Sequence, residues 1–157
     1  MQESIEKKIH ALFIEKGWTL SCAESCTGGN LAARFVALPD CSLYFLGSVV
    51  AYANQAKVSF FRVNQKILDE YGAVSEQTAK EMAEGALKRF GSTFSVSTTG
   101  IAGPSGGSVE KPVGTVCFAI ACHNRETLSW TSHFSGDRAS IIAQASNEAC
   151  SQLWTLA

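Results

Sequence analysis

The heptapeptide AESCTGG, residues 23–29, brings three candidate nucleophiles together. They are the hydroxyls of Ser25 and Thr27 and the thiol of Cys26. A hydroxyl nucleophile needs an adjacent base, and the intermediate that it forms on a carbonyl needs hydrogen-bond donors for its oxyanion. The apolar run before this segment and the helical spacing after it predict a strand-to-helix turn. At such a turn the backbone N–H groups of Cys26 and Thr27 could serve as those donors.

Simpler roles are open for the same residues. Ser25 is typical of a residue that caps a helix, and Cys26 of a small thiol in a core. Glu24 could act as a general base, or it could fix the turn by accepting backbone hydrogen bonds.

A lysine is the candidate base for Ser25. Lys57 follows the second predicted strand in the largely apolar stretch AYANQAKVSFF, and desolvation disfavours the charged form of an amine. Tyr52 could relay or share the proton, and Ser–Lys arrangements support acyl transfer. A solvated lysine and an ordinary strand tyrosine are the alternatives. The three histidines lie in the first helix and the late strands, which gives no reason to assemble a Ser–His–Asp triad.

A glycine-rich loop, TTGIAGPSGGSVEKP at residues 98–112, is the second unusual segment. Its glycines allow exposed amides to converge on an anion, and its threonines add hydroxyls. Lys111 and Arg138 could supply positive charge. The spacing fits neither a Walker loop nor GxGxxG, and a purely structural turn is an equal alternative.

The order of predicted elements is α, β, α, β, α, β, β, β, α. Helices interleaved with strands predict a three-layer α/β/α sandwich with a mixed, mostly parallel sheet, formed by one domain over residues 1–157. The run YFLGSVVAYA predicts a buried second strand, and Ser75 and Gly91 mark the ends of a long helix. Ligands of such sheets bind beyond the strand ends, where the polar loops gather.

The composition indicates a folded protein with a small ligand. Thirteen basic and fourteen acidic residues leave a net charge of -1, which argues against nucleic acid or a membrane as partner. The N-terminal helical pattern is amphipathic and unlike a signal peptide, so we expect a cytoplasmic location. Six cysteines without a CxxC pair predict reduced, mostly buried thiols. A zinc site from Cys22, Cys26 and a histidine matches no standard spacing, so we expect no metal.

Five ordered motifs resemble the CinA C-terminal domain family, which includes stand-alone nicotinamide-nucleotide amidases. They are AESCTGGNLAARF, FLGSVVAYANQAK, GAVSEQTAKEMAEGA, TTGIAGPSGGSVEKPVGTV and FSGDR, between residues 22 and 138. The resemblance implies an α/β/α fold and hydrolysis of the carboxamide of nicotinamide mononucleotide to nicotinate mononucleotide and ammonia. It implies neither a metal nor another cofactor.

The resemblance also assigns residues. It places the nucleophile at Ser25, the lysine base at Lys57 and the associated tyrosine at Tyr52. We expect the nucleotide substrate to contact a wider set: Cys26, Thr27, Thr99, Gly100, Gly106, Gly107 and Arg138.

Two positions depart from the family pattern. Asp40 stands where glycine is frequent, and Ile142 stands where an arginine that could contact an anion is frequent. A non-catalytic nucleotide-binding or regulatory module is the competing hypothesis, and an amidase for another pyridine or nucleotide amide is a third. We expect a homo-oligomer, such as a dimer.

Overall fold

A five-stranded sheet forms the middle layer of the computed structural model, which describes residues 3–157. The strands are arranged in the order β2-β1-β3-β4-β5. Their bounds are Leu20–Glu24 for β1, Phe45–Val50 for β2, Phe94–Gly100 for β3, Thr115–Cys122 for β4 and Leu128–His133 for β5. β1 is parallel to β2 and β3, whereas β4 is antiparallel to both β3 and β5. Four of the five strands therefore run in one direction, which confirms the predicted mixed, mostly parallel sheet.

Helices cover both faces of this sheet. They are α1 (Ile5–Lys16), α2 (Asn30–Val36), α3 (Asn54–Phe61), α4 (Gln65–Tyr71), α5 (Glu76–Phe90) and α6 (Arg138–Leu156), with a short 3-10 helix at Cys41–Leu43. Side chains of β4 alternate between the two faces. Phe118 and Ile120 join the core formed with α1, α2 and α6, whereas Cys117 and Ala119 join the core formed with α5. The predicted three-layer architecture is thereby confirmed.

The long helix α5 begins and ends at its predicted signals. The Ser75 hydroxyl accepts a hydrogen bond from the Thr78 N–H, and Gly91 ends the helix with a φ of 65°. The N-terminal helix is also present, with Ser4 as its cap. Met1 and Gln2, which the sequence pattern includes in that segment, lie outside the described residues. Within residues 3–157 no helix has both the length and the apolarity needed to cross a membrane.

The position of β2 corrects one prediction. A continuously apolar run is typical of a strand with neighbours on both sides. β2, however, is an edge strand that pairs only with β1, and Leu46 and Val50 are 43% and 45% exposed. The sequence pattern shows the apolar character of this strand but not which strands lie beside it.

The chain order creates a crevice at the carboxyl end of β1. From β1 the chain passes first to β2 on one side and later to β3 on the other. A reversal of this kind opens the space in which α/β sheets bind ligands. The segment after β1, the β2–α3 connection, the β3–β4 loop and the start of α6 all meet at this edge, because β5 runs in the same direction as β3.

Candidate active site

Ser25 and Lys57 meet at the carboxyl edge of the sheet. The Ser25 N–H donates to the Thr98 carbonyl of β3 at 2.9 Å, which fixes the bend after β1. The α3 helix, which follows β2, then brings Lys57 Nζ to 3.0 Å from Ser25 Oγ. Ser25 is 6% exposed and Lys57 is 1% exposed. The structure thus places the predicted nucleophile beside the predicted base in a site almost closed to water.

The surroundings of Lys57 suit a neutral amine. Its Nζ also lies 3.1 Å from the Ala51 carbonyl oxygen and 3.0 Å from that of Tyr52, and no carboxylate in residues 3–157 forms an ion pair with it. A neutral amine can donate to the two carbonyls and use its lone pair to accept the Ser25 hydroxyl proton. Burial lowers the pKa of Lys57 below its ordinary value of 10.5, against a smaller opposing effect from Cys26.

Glu24 holds the turn that follows β1. Its side chain is fully buried, and its two oxygens accept five hydrogen bonds at 2.8–3.2 Å, from the hydroxyls of Thr27 and Ser48 and the N–H groups of Gly29, Leu31 and Ala32. These N–H groups belong to the start of α2, where a helix has unpaired donors. Of the two roles open to Glu24, the geometry favours fixing the turn.

The α2 helix begins later than the sequence pattern suggests. It starts at Asn30 with Gly29 as its cap, so Ser25 is not the capping residue. Residues 26–29 form a turn. Within residues 3–157, the N–H groups of Cys26 and Thr27 donate no hydrogen bond to another residue. Two adjacent unpaired amides therefore follow the candidate nucleophile, because of the turn and not because of the helix start.

The other two candidate nucleophiles have different surroundings. The Cys26 thiol is 6% exposed, and burial raises its pKa to about 12. The Thr27 hydroxyl donates to Glu24 and lies 2.7 Å from the Thr98 hydroxyl. A protonated thiol and a hydroxyl committed to a carboxylate are poor nucleophiles. Of the three groups, Ser25 is the one within hydrogen-bond distance of a basic side chain.

Tyr52 and Arg138 form a bridge at the rim of the site. Arg138, the first residue of α6, donates to the Tyr52 hydroxyl at 2.7 Å and to the Gly103 carbonyl at 2.7 Å. Tyr52 is 58% exposed. It contacts Lys57 through its backbone carbonyl, whereas its hydroxyl pairs with Arg138. The role of Tyr52 in proton transfer stays a prediction.

Two polar side chains of the glycine-rich loop are hydrogen-bonded within the protein. The Thr99 hydroxyl donates to the Ala73 carbonyl, and Lys111 Nζ donates to the Tyr71 carbonyl. A Cβ at Gly107 would lie 2.7 Å from the Val113 nitrogen, and one at Gly100 would lie 2.8 Å from the Thr115 carbonyl oxygen. The substrate contacts predicted for Thr99, Gly100, Gly106 and Gly107 stay predictions.

Ile142 packs against the core on the α6 side of the sheet. The side chain at this position therefore serves packing, and the arginine of the bridge is the cation that α6 places at the rim. Four of the six cysteines are buried and all are free. In residues 3–157 no group of three or more His, Cys, Asp or Glu side chains is arranged to hold a metal ion.

One surface cavity lies away from Ser25. It has a volume of about 470 Å³ and lies between α3 and α5, where Phe60, Arg62 and Arg89 are among its lining residues. The site is thus identified by its side-chain chemistry.

The family of the chain follows from a direct comparison. The family model described as CinA C-terminal domain matches residues 2–156. The chain belongs to the CinA C-terminal domain family. The resemblance of the sequence to this family is confirmed over nearly all of its length.

Relatives of two lengths share this CinA domain. A CinA-like protein of Fervidobacterium nodosum is 49% identical over 133 residues, which are 85% of this chain and 32% of that protein. The chain thus spans about a third of the length of such relatives. A protein of Enterobacter agglomerans named nicotinamide-nucleotide amidohydrolase PncC is 45% identical over 147 residues, which are 89% of this chain and 90% of that protein.

Solved structures of CinA relatives have the same fold. A competence/damage inducible protein from Agrobacterium tumefaciens superposes with a TM-score of 0.95 at 38% identity, covering 97% of this chain and 93% of that one. A CinA superfamily protein from Escherichia coli gives a TM-score of 0.91 at 36% identity, covering 100% of this chain and 95% of that one.

Sequence reasoning missed two hydroxyl partners of the turn. Ser48 on β2 donates to Glu24, and Thr98 on β3 contacts Thr27. The signal for Ser48 is a polar residue in the otherwise apolar strand FLGSVV. Its partner was not predictable, because the register of β2 against β1 decides which side chain it reaches.

Proposed function

We propose that this chain is an amidohydrolase that converts nicotinamide mononucleotide to nicotinate mononucleotide and ammonia, with Ser25 as nucleophile and Lys57 as base. One observation carries the chemistry: a buried lysine amine, held by two carbonyls, lies 3.0 Å from a buried serine hydroxyl. A serine with an adjacent base and unpaired amides is the arrangement required for acyl transfer.

The relative from Enterobacter agglomerans supports the amidohydrolase class, because the similarity covers about nine-tenths of both chains. The name of that relative also suggests the nucleotide substrate. The competing hypothesis of a binding module gives no reason for a desolvated lysine beside a serine, since burying an amine costs free energy that binding alone does not require.

The acylation step begins with neutral Lys57. Its lone pair takes the Ser25 hydroxyl proton while Oγ forms a bond to the carboxamide carbon. The carbonyl oxygen becomes an oxyanion and accepts hydrogen bonds from the N–H groups of Cys26 and Thr27. Lys57 then returns the proton to the amide nitrogen, the C–N bond breaks and ammonia leaves. An acyl ester on Ser25 remains.

Deacylation uses the same groups in a second cycle. Lys57 takes a proton from water as the water oxygen bonds to the acyl carbon, and the oxyanion again lies against the two amides. The C–Oγ bond breaks, Ser25 recovers its proton from Lys57 and the product leaves as the carboxylic acid. The sum is one amide and one water converted to one carboxylic acid and one ammonia, with no electron transfer.

The nucleotide part of the substrate requires a cation near the nucleophile. Arg138 lies at the rim of the crevice and contacts the glycine-rich loop through the Gly103 carbonyl. In our proposal its guanidinium binds the phosphate, for which a bidentate arginine is well suited. The exposed Gly106 and Gly107 lie in the same loop and offer backbone amides to the phosphate or ribose.

The test is ammonia release by the purified protein with nicotinamide mononucleotide, together with chromatographic detection of nicotinate mononucleotide. Ser25→Ala should remain folded and lose nearly all turnover, whereas Ser151→Ala, an exposed serine of α6, should keep it. If the protein released ammonia from other pyridine or nucleotide amides but not from nicotinamide mononucleotide, the proposed substrate would be wrong. The proposed chemistry of Ser25 and Lys57 would stand. Normal turnover in Ser25→Ala would show that Ser25 is not the nucleophile.

A further inference from the structure

Residues 72–75 join α4 to α5 without forming a helix or a strand. We call them the α4–α5 segment. They begin the motif GAVSEQTAKEMAEGA, to which the proposed function gives no role. Two hydroxyls of β3 show where the segment lies, because Ser95 donates to the Ala83 carbonyl of α5 and Ser97 donates to the Ala79 carbonyl. The helix α5 therefore runs antiparallel to β3, and the α4–α5 segment lies beside the carboxyl end of that strand.

Three side chains from different parts of the fold hold this connection in place. They donate to the carbonyl oxygens of three successive residues, each at 2.7 Å: Lys111 to Tyr71, Thr78 to Gly72 and Thr99 to Ala73. Connecting loops are ordinarily more mobile than the elements that they join. With three carbonyls bound by the glycine-rich loop, α5 and β3, this segment instead has a fixed position.

The side chains of Ala73 and Val74 enter two different apolar clusters. Val74 packs against the cluster that contains Cys117 of β4. Ala73 packs against the cluster that contains Ala23 of β1 and Ala51, which follows β2. Because Ala73 is only partly buried, part of its surface stays open on the β1 side of the segment.

The cluster that Ala73 joins borders the Ser25–Lys57 pair. Ala23 lies two residues before Ser25 in the chain, and the Ala51 carbonyl oxygen lies 3.1 Å from Lys57 Nζ. These neighbours are small apolar side chains beside the candidate nucleophile and its base. They suit contact with an apolar part of a substrate, since ligand sites are lined mainly by apolar groups.

The strand β3 also connects Ala73 to the nucleophile. The Thr98 carbonyl accepts the Ser25 N–H at 2.9 Å, and the next residue, Thr99, donates to the Ala73 carbonyl. Ala73 is thus linked to the site through both β1 and β3. It lies beside the crevice between the ends of these two strands, where a substrate must approach Ser25.

We propose that the α4–α5 segment is the wall of the site against which the ring of the substrate lies, and that Ala73 sets the size of that ring. The inference rests on the proposed function, because it takes Ser25 as the nucleophile. A ring bonded to the reacting carboxamide carbon lies next to Ser25 Oγ. A fixed wall accepts a ring that fits and excludes a larger one, so the substrate class is a carboxamide on a single aromatic ring of the size of pyridine.

Sulfonyl fluorides of increasing size test the wall without requiring amide hydrolysis. The Ser25 oxygen bonds to sulfur, fluoride leaves and Lys57 takes the hydroxyl proton. Methanesulfonyl fluoride carries no ring, benzenesulfonyl fluoride carries one and naphthalenesulfonyl fluoride carries two fused rings. Intact mass with peptide mapping gives the rate at which each reagent labels Ser25.

Ala73→Leu should slow labelling by benzenesulfonyl fluoride by at least about tenfold, because extra methylenes in a fitted pocket discriminate to this degree. Labelling by methanesulfonyl fluoride should not change. Ala73→Gly should raise labelling by naphthalenesulfonyl fluoride by about tenfold. Because Ala73→Gly only removes a methyl group, it tests the wall even if Ala73→Leu does not fold, which circular dichroism would show. The matched control is Ala11→Leu on the exposed side of α1, which should match the wild-type chain with all three reagents.

The outcomes separate the wall from the proposed function. Ring-dependent labelling as expected, without ammonia from nicotinamide mononucleotide, would support the wall and show that the proposed substrate is wrong. Ammonia release together with labelling that ignores the side chain at position 73 would overturn the wall and leave the proposed function. Equal slowing of the methane and benzene reagents in Ala73→Leu, with no effect of Ala73→Gly, would also overturn the wall, since ring size would then have no influence. A folded wild-type chain that none of the reagents labels at Ser25 would overturn both the wall and the nucleophile.

Discussion

The Lys57 amine lies 3.0 Å from the Ser25 hydroxyl oxygen, and its other two oxygen neighbours are backbone carbonyls. Carbonyl dipoles do not hold a lysine protonated as an ion pair with a carboxylate would. Burial is consequently the dominant influence on the pKa of Lys57, and it lowers that pKa. Catalysis and folding stability should therefore both depend on whether Lys57 is protonated.

The rate of amide hydrolysis should rise with pH. The base form of Lys57 is neutral, so kcat/KM should increase with pH as this one amine loses its proton. The midpoint of the increase should lie below the ordinary lysine pKa of 10.5. Initial rates of ammonia release across a pH series measure it. Lys57→Arg should lose nearly all activity at every pH, because a guanidinium stays protonated. A rate that falls over the same pH range in the wild-type chain would contradict a lysine base.

The folding stability should also depend on the titration of Lys57. The pKa of Lys57 is lower in the folded state than in the unfolded state, so between those two pKa values the unfolded chain binds more protons. The free energy of unfolding of the wild-type chain, relative to Lys57→Met, should therefore rise with pH through this window. Urea denaturation of both proteins at matched pH values measures the difference. A difference independent of pH would show that Lys57 has an ordinary pKa.

Local signals made some elements predictable. The bounds of α5 follow from Ser75 and Gly91, which act on adjacent backbone groups. The edge position of β2 did not follow, because an apolar run has the same pattern whether one strand or two lie beside it. Residue types indicated Ser25 and Lys57 as candidates, but their contact depends on β2 lying next to β1, which the motifs implied only through the family resemblance.

The start of α2 shows a different limit of prediction from the sequence. Helical spacing after AESCTGG predicted an early helix, and the observed start is at Asn30. Glu24 takes the first amides of the helix by reaching over the intervening turn. A contact of this kind depends on the path of the turn, which the glycines permit but do not specify.

Glu24→Gln should impair catalysis through the turn. The amide keeps one acceptor but turns its NH₂ toward donors, which leaves buried groups unpaired at a cost of about 1–3 kcal/mol each. We expect a loss of stability of that order and a fall in kcat larger than the change in KM, measured below the melting transition. Glu81→Gln is the control, since Glu81 accepts from one exposed N–H, that of Asn64. Unchanged kcat in Glu24→Gln would assign Glu24 to folding alone.

Arg62→Gly should stabilise the protein. Arg62 ends α3 with a φ of 58°, a left-handed conformation that favours glycine. Its side chain is exposed and makes no hydrogen bond or ion pair within residues 3–157. We expect a gain of about 0.5–1 kcal/mol in the free energy of unfolding. Lys66→Gly, at an exposed position inside α4, should lose about as much. A loss in both variants would contradict this account of the cap.

Gly85→Ala should destabilise the protein, although this substitution in a helix usually has a stabilising effect. Alanine in a helix interior normally stabilises by about 1 kcal/mol. Here α3 crosses α5 so closely that a Cβ at Gly85 would lie 2.1 Å from the Phe61 carbonyl oxygen. We expect α3 to shift and the free energy of unfolding to fall by about 1–3 kcal/mol.

The shift should also reach the candidate site, because Lys57 lies on the same helix as Phe61. At a temperature where the variant is fully folded, Gly85→Ala should lower kcat, since a small displacement of the base lengthens its contact with Ser25. Lys88→Ala, an exposed change on α5, should alter neither stability nor turnover. Denaturation curves and ammonia release on the two variants measure both effects. A stabilised and fully active Gly85→Ala would show that the α3–α5 crossing does not position the lysine.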